Sequence, residues 1–596
     1  MARRSLFRGL APEQRIKLGG LAMALIAVVF LSRMAWLMLT PAPQLRQEAE
    51  NLVYAAEAHR SPSPVRGLIF DRKGYPLVLN GLHYRLAAYV DRIRAEGAER
   101  DIIAKKLAHI LNRSEEEIRD CLGKYKIGQD GTVSLNYYCL LAQEMDEAGR
   151  KELESALVRA FGEGGELPGW LGFEAFPARF HPERRLASHV LGTYLPQGDV
   201  KLGVELSYDP YLSGKERPSS SLMVEEVNLP LASTASGCSL ILTLDRDIQE
   251  ATEEILRETI LKSGAQSGVI VVMDVATGEV LAMAGYPDFD PDAIAESPQE
   301  FLVNPAVSSL YEPGSVFKLV TYAAALDSGL INPESPFYDE GFINVGGHTI
   351  RNFGGVSYGN VDATRALALS INVIAVKINL ALGPQVYYTY LRRFGFDART
   401  GIDLPGENDP IVRFPGKSGW SYVDLGTNAF GQGVSVTPIQ MTAAIAAIAN
   451  EGLLMRPRVV SGMICGGKLY RLPPEKYVVR RVISPESASL LTKMMVGVAE
   501  YWKKFADVPG YSAAGKSGTA EIPTPYGYES SQPTIASFGG FVPARNPRVA
   551  ILVRIDRPTV ETTGIRVAGP AFAKLAYRTM RILGVPPDEP EELVSR

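Results

Sequence analysis

The stretch Tyr311–Lys318 constrains the fold of this 596-residue chain more than any other. It contains the only Ser-x-x-Lys sequence in the chain. A proline and a glycine before Ser315 mark a turn, and the apolar residues 319–326 predict a helix. Because residues i and i+3 share one face of a helix, we expect the Lys318 amine to reach the Ser315 hydroxyl.

A serine hydroxyl becomes an effective nucleophile when a base removes its proton, and a lysine can be that base only if its amine is neutral. Neutrality requires that burial or a neighbouring cation lowers the pKa of Lys318 from about 10.4. The start of a helix also favours negative charge developing on Ser315. Taken alone, the motif fits a nucleophile with its base, and it also fits an ordinary solvated start of a helix.

Two further motifs offer groups that such a serine needs. Ser370-Ile371-Asn372 has a hydroxyl that can relay a proton and a carboxamide that can orient a substrate amide. Lys516-Ser517-Gly518-Thr519 has a cation, hydroxyls and a glycine that lets a substrate backbone approach closely. Each pattern is weak alone, because Ser134-Leu135-Asn136 also matches the first, and Lys-Ser-Gly recurs at Lys262 and Lys417. Only the copy at Lys516 continues to a threonine.

Composition argues against several other kinds of site. The formal net charge is −4, so no basic field indicates nucleic acid binding. Of six histidines only His348 lies beyond residue 189, which leaves no cluster for zinc and one candidate for a Ser-His-Asp triad. None of the four cysteines forms a Cys-x-x-Cys, so we expect neither a metal nor a thioredoxin-like site. Free, buried cysteines are expected, with a Cys121–Cys139 disulfide as the alternative.

The N-terminus predicts a membrane anchor. The segment Leu18–Leu39 has 22 residues with a single charge, Arg33, near one end where it can snorkel to the headgroups. Basic residues dominate positions 1–17, so the positive-inside rule places them in the cytoplasm and everything after residue 40 outside. We expect a single-pass protein of the inner or plasma membrane. A cleaved signal peptide and a buried core helix are the alternatives.

Two regions follow the predicted anchor. Residues 40–245 mix strand-like segments with helical stretches at 101–111, 115–121 and 144–160, which predicts an extended α+β module. Its chemistry alone indicates no active site: His189 is expected to be a hydrogen-bonded structural histidine, and Asp71 to form an ion pair with Arg72. Residues 246–585 have strands at both ends and helices between, which predicts a central antiparallel sheet packed with helices. The last helix is expected over Pro570–Leu583.

The three motifs occur in the order Ser-x-x-Lys, Ser-x-Asn, Lys-Ser-Gly-Thr, an order typical of penicillin-binding proteins and class A β-lactamases. From the anchor to about residue 585, the chain resembles the class B penicillin-binding proteins, the membrane-anchored D,D-transpeptidases of peptidoglycan. The departures are mild, such as Ile371 inside the second motif and Ser517 where threonine is common. Further segments that match the family are Arg66-Gly67, Asp71-Arg72, Gly74, His189, Gly192, Gly203, Glu205, Glu312-Pro313-Gly314, Phe430-Gly431-Gln432-Gly433, Thr437-Pro438 and Gln440.

This resemblance implies an α+β fold with a single N-terminal transmembrane helix, an elongated pedestal domain and a penicillin-binding transpeptidase domain. The implied boundaries are a cytoplasmic tail at 1–17, the transmembrane helix at 18–39, a non-catalytic pedestal of the dimerisation type at 40–245, the transpeptidase domain at 246–585 and a C-terminal tail at 586–596. No glycosyltransferase module precedes the pedestal, so class B is expected rather than class A.

The resemblance also implies roles for the motif residues. Ser315 is the nucleophile, Lys318 its base and Ser370 a proton relay, and the backbone N–H groups of Ser315 and Thr519 form an oxyanion hole. No cofactor is implied. The implied substrate-binding residues are Asn372, Lys516, Ser517, Gly518 and Thr519.

Peptidoglycan stem peptides, β-lactams and a SEDS-family glycosyltransferase of the FtsW or RodA type are the implied partners. Residues 32–37 and the ending Gly569-Pro570-Ala571-Phe572 resemble the division-specific branch, FtsI or penicillin-binding protein 3. The elongation branch, penicillin-binding protein 2, is the alternative. A β-lactam sensor or hydrolase shares the same motifs, and a non-catalytic scaffold is a third hypothesis. Fluorescent penicillin discriminates between these functions by stable labelling, rapid turnover or no labelling.

Overall fold

The computed structural model describes residues 65–93, 98–127, 133–162, 164–195, 200–214, 237–522 and 533–589. The chain divides into two units at residue 63, and the second unit, Pro64–Arg596, contains every described residue. In the ranges given, no helix is both long and apolar enough to cross a membrane. The predicted tail and span, residues 1–39, lie outside the described residues.

The N-terminal region, residues 65–245, is organised around one long strand, β2. Strands β5 and β6 pair antiparallel with β2 on its two sides. Leu86 and Ala88 of β2 are fully buried in one cluster with Leu107, Ile118 and Leu157, which lie on three amphipathic helices. The elements of this region are β1 (Ile69–Phe70), β2 (Pro76–Tyr89), α1 (Ala98–Leu111), α2 (Glu115–Cys121), β3 (Tyr125–Ile127), β4 (Val133–Leu135), β5 (Tyr138–Met145), α3 (Glu147–Phe161), β6 (Leu171–Phe180), α4 (Ser188–Leu191), β7 (Tyr194–Leu195), β8 (Val200–Lys201), α5 (Gly203–Ser207), α6 (Asp209–Leu212) and β9 (Ser239–Leu242).

Local hydrogen bonds correct two predictions in this region. The helix expected from residue 144 begins at Glu147, because the Asp146 side chain caps it by accepting from the backbone N–H of Gly149 at 2.7 Å. Asp71 forms no ion pair with Arg72. Its carboxylate instead accepts backbone N–H groups, among them that of Tyr75 at 2.8 Å, and so holds the turn together.

The C-terminal region, residues 246–589, contains the predicted antiparallel sheet. Its five strands lie in the order β11 (Val280–Tyr286), β10 (Ser267–Asp274), β24 (Val549–Asp556), β23 (Thr534–Val542) and β22 (Ala514–Glu521). Successive side chains of β24 point to opposite faces. Ile551 and Val553 pack against helices α7 (Arg246–Ser263) and α16 (Gly564–Ile582), whereas Ala550 and Leu552 pack in the larger core cluster with helices α9 (Lys318–Asp327) and α13 (Pro438–Ala449). Helices therefore cover both faces of the sheet, and β22 is one of its edges.

This region has the predicted strands at both ends and helices between them, and it also has short strands in the middle, between residues 336 and 481, that were not predicted from the sequence. The helices and strands of this region are α7 (Arg246–Ser263), β10 (Ser267–Asp274), β11 (Val280–Tyr286), α8 (Pro305–Ser308), α9 (Lys318–Asp327), β12 (Pro336–Asp339), β13 (Phe342–Val345), β14 (His348–Arg351), β15 (Gly359–Asp362), α10 (Ala363–Ala368), α11 (Asn372–Arg393), β16 (Ile411–Val412), α12 (Tyr422–Asn428), β17 (Val434–Ser435), α13 (Pro438–Ala449), β18 (Leu453–Met455), β19 (Val460–Cys465), β20 (Lys468–Arg471), β21 (Val478–Arg481), α14 (Pro485–Tyr501), α15 (Lys503–Ala506), β22 (Ala514–Glu521), β23 (Thr534–Val542), β24 (Val549–Asp556) and α16 (Gly564–Ile582).

Helix α16 begins six residues earlier than the sequence predicted, and Pro570 lies inside it. A proline in a helix interior removes one backbone hydrogen bond. In α16 that cost is offset by packing: Ala568, Phe572 and Leu575 recur at helical spacing and are fully buried against the sheet.

A second sheet joins the two regions. Strand β1 pairs parallel with β9, and β9 pairs antiparallel with β19 of the C-terminal region. The sheet order β20-β19-β9-β1-β2-β5 therefore runs without interruption from one region into the other. Backbone hydrogen bonds of a sheet fix the relative position of the regions that contribute its strands.

All four cysteines are in disulfides, so the expectation of free cysteines is wrong. Cys121–Cys139 joins the end of α2 to β5, with Cα atoms 5.4 Å apart. Cys238–Cys465 joins the residue before β9 to the end of β19, across 227 residues of sequence. The second pair could not be inferred from spacing, because the sheet between the two regions brings its members together.

Candidate active site

Ser315 lies in the predicted turn, which is a tight one. Residues Gly314–Phe317 form a 3-10 helix that continues directly into α9 at Lys318. Val316 and Phe317 are fully buried and anchor the turn, whereas Ser315 is only half-buried. Gly431 packs directly against this turn, because a Cβ atom at Gly431 would lie 2.3 Å from the carbonyl oxygen of Gly314.

The amine of Lys318 is fully buried and faces the second motif. It donates to the backbone oxygen of Ser370 at 2.6 Å and to Oδ1 of Asn372 at 2.8 Å, and it lies 3.2 Å from Oγ of Ser370. Among the hydrogen bonds between described residues, none joins Nζ of Lys318 to Ser315. The spacing that places both side chains on one helix face is present, but the observed partners of the amine come from 52 and 54 residues away.

The second motif lies in a break between two helices. Helix α10 ends at Ala368, α11 begins at Asn372, and Ser370 has a left-handed backbone with φ of 58°. A left-handed conformation costs a residue with a side chain about 1–2 kcal/mol. This geometry directs both the carbonyl and the hydroxyl of Ser370 towards Lys318.

Lys516 completes the cluster from strand β22. Its amine is fully buried and donates to Oγ of Ser370 at 3.0 Å and to the backbone oxygen of Ser517 at 2.9 Å. The Ser370 hydroxyl therefore lies between the two lysines. The three motifs converge although they are separated by 55 and 146 residues of sequence.

Burial controls the charge of both lysines. It lowers the pKa of Lys318 well below its ordinary value, and the nearby Lys516 lowers that pKa further. Burial also lowers the pKa of Lys516, to about 7. The hydrogen-bond partners described for these two amines are uncharged oxygens, so no carboxylate offsets the cost of burying a positive charge there.

The rest of the third motif lies along the edge strand β22. Side chains alternate on a strand, so Ser517 and Thr519 are partly exposed on one face while Lys516 is buried. Gly518 lets the strand pack against the nucleophile turn, because a Cβ atom there would lie 2.9 Å from the carbonyl oxygen of Pro313. The Thr519 hydroxyl accepts from the backbone N–H of Gly564 at 2.9 Å. Its own hydrogen remains available to donate.

The competing copies of the motifs do not join this cluster. Asn136 donates to the backbone oxygens of Cys121 and Gly123 in the N-terminal region. Lys262 pairs with Glu258 on the surface of α7, and Lys417 is exposed. His189 is buried and its Nε2 contacts the Phe301 carbonyl oxygen at 2.9 Å, which agrees with a structural role.

The sequence did not indicate two residues that support the site. The buried Asn352 side chain accepts from the backbone N–H of Val373 at 3.0 Å, at the start of α11. Gly564, at the start of α16, holds the Thr519 hydroxyl. Neither residue belongs to a local pattern, and each lies at least 20 residues from its partner, so no sequence signal could have identified it.

Comparison with known families agrees with this geometry. Residues 268–577 match the model of the penicillin-binding protein transpeptidase domain, and residues 61–223 match that of the penicillin-binding protein dimerisation domain. The transpeptidase match covers more than half of the chain and contains all three motifs. The chain belongs to the class B penicillin-binding proteins. It is therefore a D,D-transpeptidase by family, with the two-domain α+β fold that the resemblance implied.

Several class B penicillin-binding proteins are similar to this chain over most of their length. Penicillin-binding protein PbpB of Mycobacterium tuberculosis is 30% identical over 98% of this chain and 88% of its own length. Stage V sporulation protein D of Bacillus subtilis is 31% identical over 88% of this chain and 79% of its own. The crystal structure of penicillin-binding protein 3 from Mycobacterium tuberculosis with aztreonam superposes with a TM-score of 0.65 at 27% identity, covering 89% of this chain and 98% of that one.

Proposed function

We propose that this class B penicillin-binding protein cross-links peptidoglycan stem peptides through an acyl-enzyme on Ser315. The observation that carries the proposal is the environment of Lys318. A neutral amine has two hydrogens, and the carbonyl oxygen of Ser370 and Oδ1 of Asn372 are placed to accept them. The lone pair of the nitrogen is then free to take the Ser315 proton, which is what a general base requires.

The proposed reaction has two steps. In the first, Oγ of Ser315 forms a bond to the penultimate D-Ala carbonyl carbon, its proton passes to Lys318, and the terminal D-Ala leaves with a proton relayed through Ser370. In the second, an amine of another stem peptide attacks the ester, and Oγ of Ser315 regains a proton. The backbone N–H groups of Ser315 and Thr519 are proposed to stabilise the oxyanion in both steps.

The third motif is proposed to bind the terminal carboxylate of the donor peptide or the acid group of a β-lactam. Lys516 supplies positive charge, and Ser517 and Thr519 present hydroxyls on the same face of β22. Asn372 is proposed to orient the substrate amide from the opposite side of the cleft.

Labelling with fluorescent penicillin tests the nucleophile. Wild-type protein is expected to form a stable adduct on Ser315, and Ser315→Ala to form none while keeping its melting temperature. A Lys417→Ala variant, altered at the exposed Lys-Ser-Gly copy, serves as the control and should label normally. Mass spectrometry that placed the adduct on Ser370 or Ser517 would contradict the assignment. Rapid loss of the label would favour a hydrolase, and a cross-linking assay separates a transpeptidase from a sensor.

The catalytic region is proposed to lie outside the cell membrane. Two observations support this: the charge asymmetry around the span Leu18–Leu39, and the two disulfides, which persist in oxidising compartments. Protease added to intact spheroplasts should digest residues 65–589 while leaving a tag at the N-terminus protected. Protection of both ends would contradict this topology.

A role in septal wall synthesis is proposed, with a polytopic SEDS-family glycosyltransferase as the partner. The similarity to proteins named PbpB and penicillin-binding protein 3 supports the division branch over the elongation branch. Small residues in the predicted span, Gly19, Gly20 and Ala24 among them, would let another helix approach closely. The pedestal, proposed at residues 40–245, supplies a second contact surface.

A fluorescent fusion should therefore collect at mid-cell, and side-wall localisation would favour the elongation branch. Co-purification from detergent with the SEDS protein of the same genome tests the partner. A version with an unrelated span in place of Leu18–Leu39 should bind less. Unchanged binding would confine the interface to the pedestal, and no complex with any SEDS protein would contradict the proposal.

A further inference from the structure

A lobe of two small antiparallel sheets, residues 336–362, forms one wall beside the second motif: β12 pairs with β15, and the hairpin β13–β14 lies between them in sequence. Its contacts fix it there. The Asn372 side chain donates to the backbone oxygen of Arg351 at 3.2 Å, and Asn352 accepts from the N–H of Val373. Inside the lobe Asn352 donates to the fully buried carboxylate of Asp339 at 2.8 Å. These hydrogen bonds hold the lobe against the segment that carries Ser370 and Asn372.

A cavity of about 400 Å³ lies between this lobe and helix α10. Phe337, Tyr358 and Leu369 give it an apolar part, and Asp362 and Arg365 give it a charged part. Leu369 directly precedes Ser370, and consecutive Cα atoms are about 3.8 Å apart. One of the residues that line the cavity is therefore the direct neighbour in sequence of Ser370, whose hydroxyl lies between Lys318 and Lys516.

Arg365 places a positive charge at this cavity, and the other described residues do not neutralise it. Its side chain is exposed, and its guanidinium forms no ion pair and no hydrogen bond with any other residue that the structure describes. The neighbouring Asp362 already accepts from the backbone N–H of Arg365 at 2.7 Å. An arginine has a planar fork of donors that matches a carboxylate in a bidentate pair, so a carboxylate is the chemical group that this position suits.

Cross-linking requires two substrates, and the cleft has two walls. The donor carboxylate is assigned above to the β22 wall, at Lys516 and Thr519. An acceptor that attacks the ester on Ser315 must come from another side, and the lobe wall is adjacent to Ser370. A fully extended peptide spans about 3.3–3.6 Å per residue, so an acceptor of several residues can contact the lobe wall while its amine lies near the ester.

We propose that the cavity between the lobe and α10 binds the acceptor stem peptide, with Arg365 paired to one of its carboxylates. This inference rests on the proposed transpeptidase function. In the step it serves, the acceptor nitrogen forms a bond to the acyl carbonyl carbon, the bond from that carbon to Oγ of Ser315 breaks, and one amine proton ends on Oγ.

The test separates acylation from acceptor capture in the full-length protein. Acylation by penicillin is measured first, because it needs no acceptor. Transfer of an acyl group from a D-Ala-D-Ala donor peptide is then measured against the concentration of a stem tetrapeptide acceptor, either with free carboxylates or fully amidated. Arg365→Gln is compared with Arg365→Lys and with Arg471→Gln, a control at an exposed arginine on β20.

For Arg365→Gln we expect kcat/KM for the free-carboxylate acceptor to fall about ten- to a hundredfold, which is the loss of one charge-assisted hydrogen bond. The amidated acceptor should lose less than threefold, Arg365→Lys should recover part of the activity, and Arg471→Gln should match wild type. Equal losses for the two acceptors, or equal behaviour of Arg365→Gln and Arg471→Gln, would overturn the inference. Wild-type protein that penicillin fails to acylate would instead overturn the proposed function, and this inference with it.

Discussion

Lys318 and Lys516 illustrate how residue-scale energetics support the proposed chemistry. Both side chains are fully buried, both lie close to the Ser370 hydroxyl, and their described hydrogen-bond partners carry no negative charge. Desolvation therefore disfavours the protonated form of each, and the two positive charges disfavour one another. The pKa of Lys318 is lowered well below its ordinary value, whereas that of Lys516 is lowered to about 7. A neutral Lys318 beside a partly charged Lys516 is what the proposed roles of general base and anion binder require of these two side chains.

Replacing Lys318 by arginine should nearly abolish acylation. A guanidinium stays protonated and is bulkier than an amine, so it cannot take the Ser315 proton. Loss of a general base typically costs about 10²–10⁴ in rate. The measurement is the second-order rate constant for acylation by penicillin, with Lys417→Arg as the control at an exposed lysine. An acylation rate within threefold of wild type would contradict the role of Lys318.

The pH dependence of kcat/KM should show the two lysines separately. Lys318 is active when neutral, so acylation should fall as the pH drops through its lowered pKa. Lys516 binds a carboxylate when charged, so kcat/KM for penicillin should also fall as the pH rises through about 7. The methyl ester of the same penicillin has no carboxylate and should lack the alkaline decline. If kcat/KM declined equally for the acid and the ester above neutral pH, Lys516 would not be the residue that binds the carboxylate.

Thr519→Val keeps the shape of the side chain and removes its hydroxyl. We expect a fall in acylation efficiency for penicillin that is larger than the fall for its methyl ester, because a hydroxyl donates a stronger hydrogen bond to a charged carboxylate than to a neutral ester. The backbone N–H of Gly564 also loses its acceptor, so the free energy of unfolding should drop by about 1 kcal/mol. Equal losses of acylation efficiency for the acid and the ester would show that Thr519 has only this structural role.

At the scale of elements, the site depends on how closely edge strand β22 packs against the 3-10 turn of Ser315. The turn is held on one side by Gly431 and on the other by Gly518, and both glycines leave no room for a side chain. The hydroxyl of Thr519 ties the same strand to the start of α16. The distance between the Ser315 turn and strand β22 is therefore set largely by close contacts of the backbone at these two glycines.

Gly518→Ala tests this packing. The added Cβ would lie 2.6 Å from Oγ of Ser537 and 3.0 Å from Cγ2 of Val316, so β22 must move away from the turn. A shift of about 1 Å in a catalytic arrangement can cost about 10²-fold in rate, and we expect a loss of at least tenfold in acylation. Gly81→Ala is a matched control in a strand, since the nearest atom to its Cβ is 3.8 Å away. Equal acylation by the two variants would show that the strand position is not critical.

At the scale of the whole molecule, the N-terminal and C-terminal regions are joined through a shared sheet and a disulfide. Strand β9 lies between β1 of one region and β19 of the other, and Cys238–Cys465 links the residue before β9 to the end of β19. Two regions connected in this way cannot rotate freely against each other.

The two disulfides should differ in their effect on stability. In the chain-entropy model a disulfide that closes a longer loop stabilises more, and separations of 227 and 18 residues predict a difference of about 2 kcal/mol. The double variant Cys238→Ser/Cys465→Ser should therefore lower the melting temperature more than Cys121→Ser/Cys139→Ser. Calorimetry of both variants checks this, with oxidised wild-type protein as the reference. A larger effect of the Cys121–Cys139 pair would contradict the loop-entropy account.

Local patterns in the sequence determined the turn and helix around Ser315 and the antiparallel sheet of the C-terminal region. These follow from turn residues and periodicity, which act over a few residues. The tertiary structure alone decided the partners of Lys318, the Asn352 cap of α11, the Gly564–Thr519 contact and the Cys238–Cys465 bond. Each joins residues at least 20 positions apart, and such pairings depend on how whole elements pack, which no local pattern encodes.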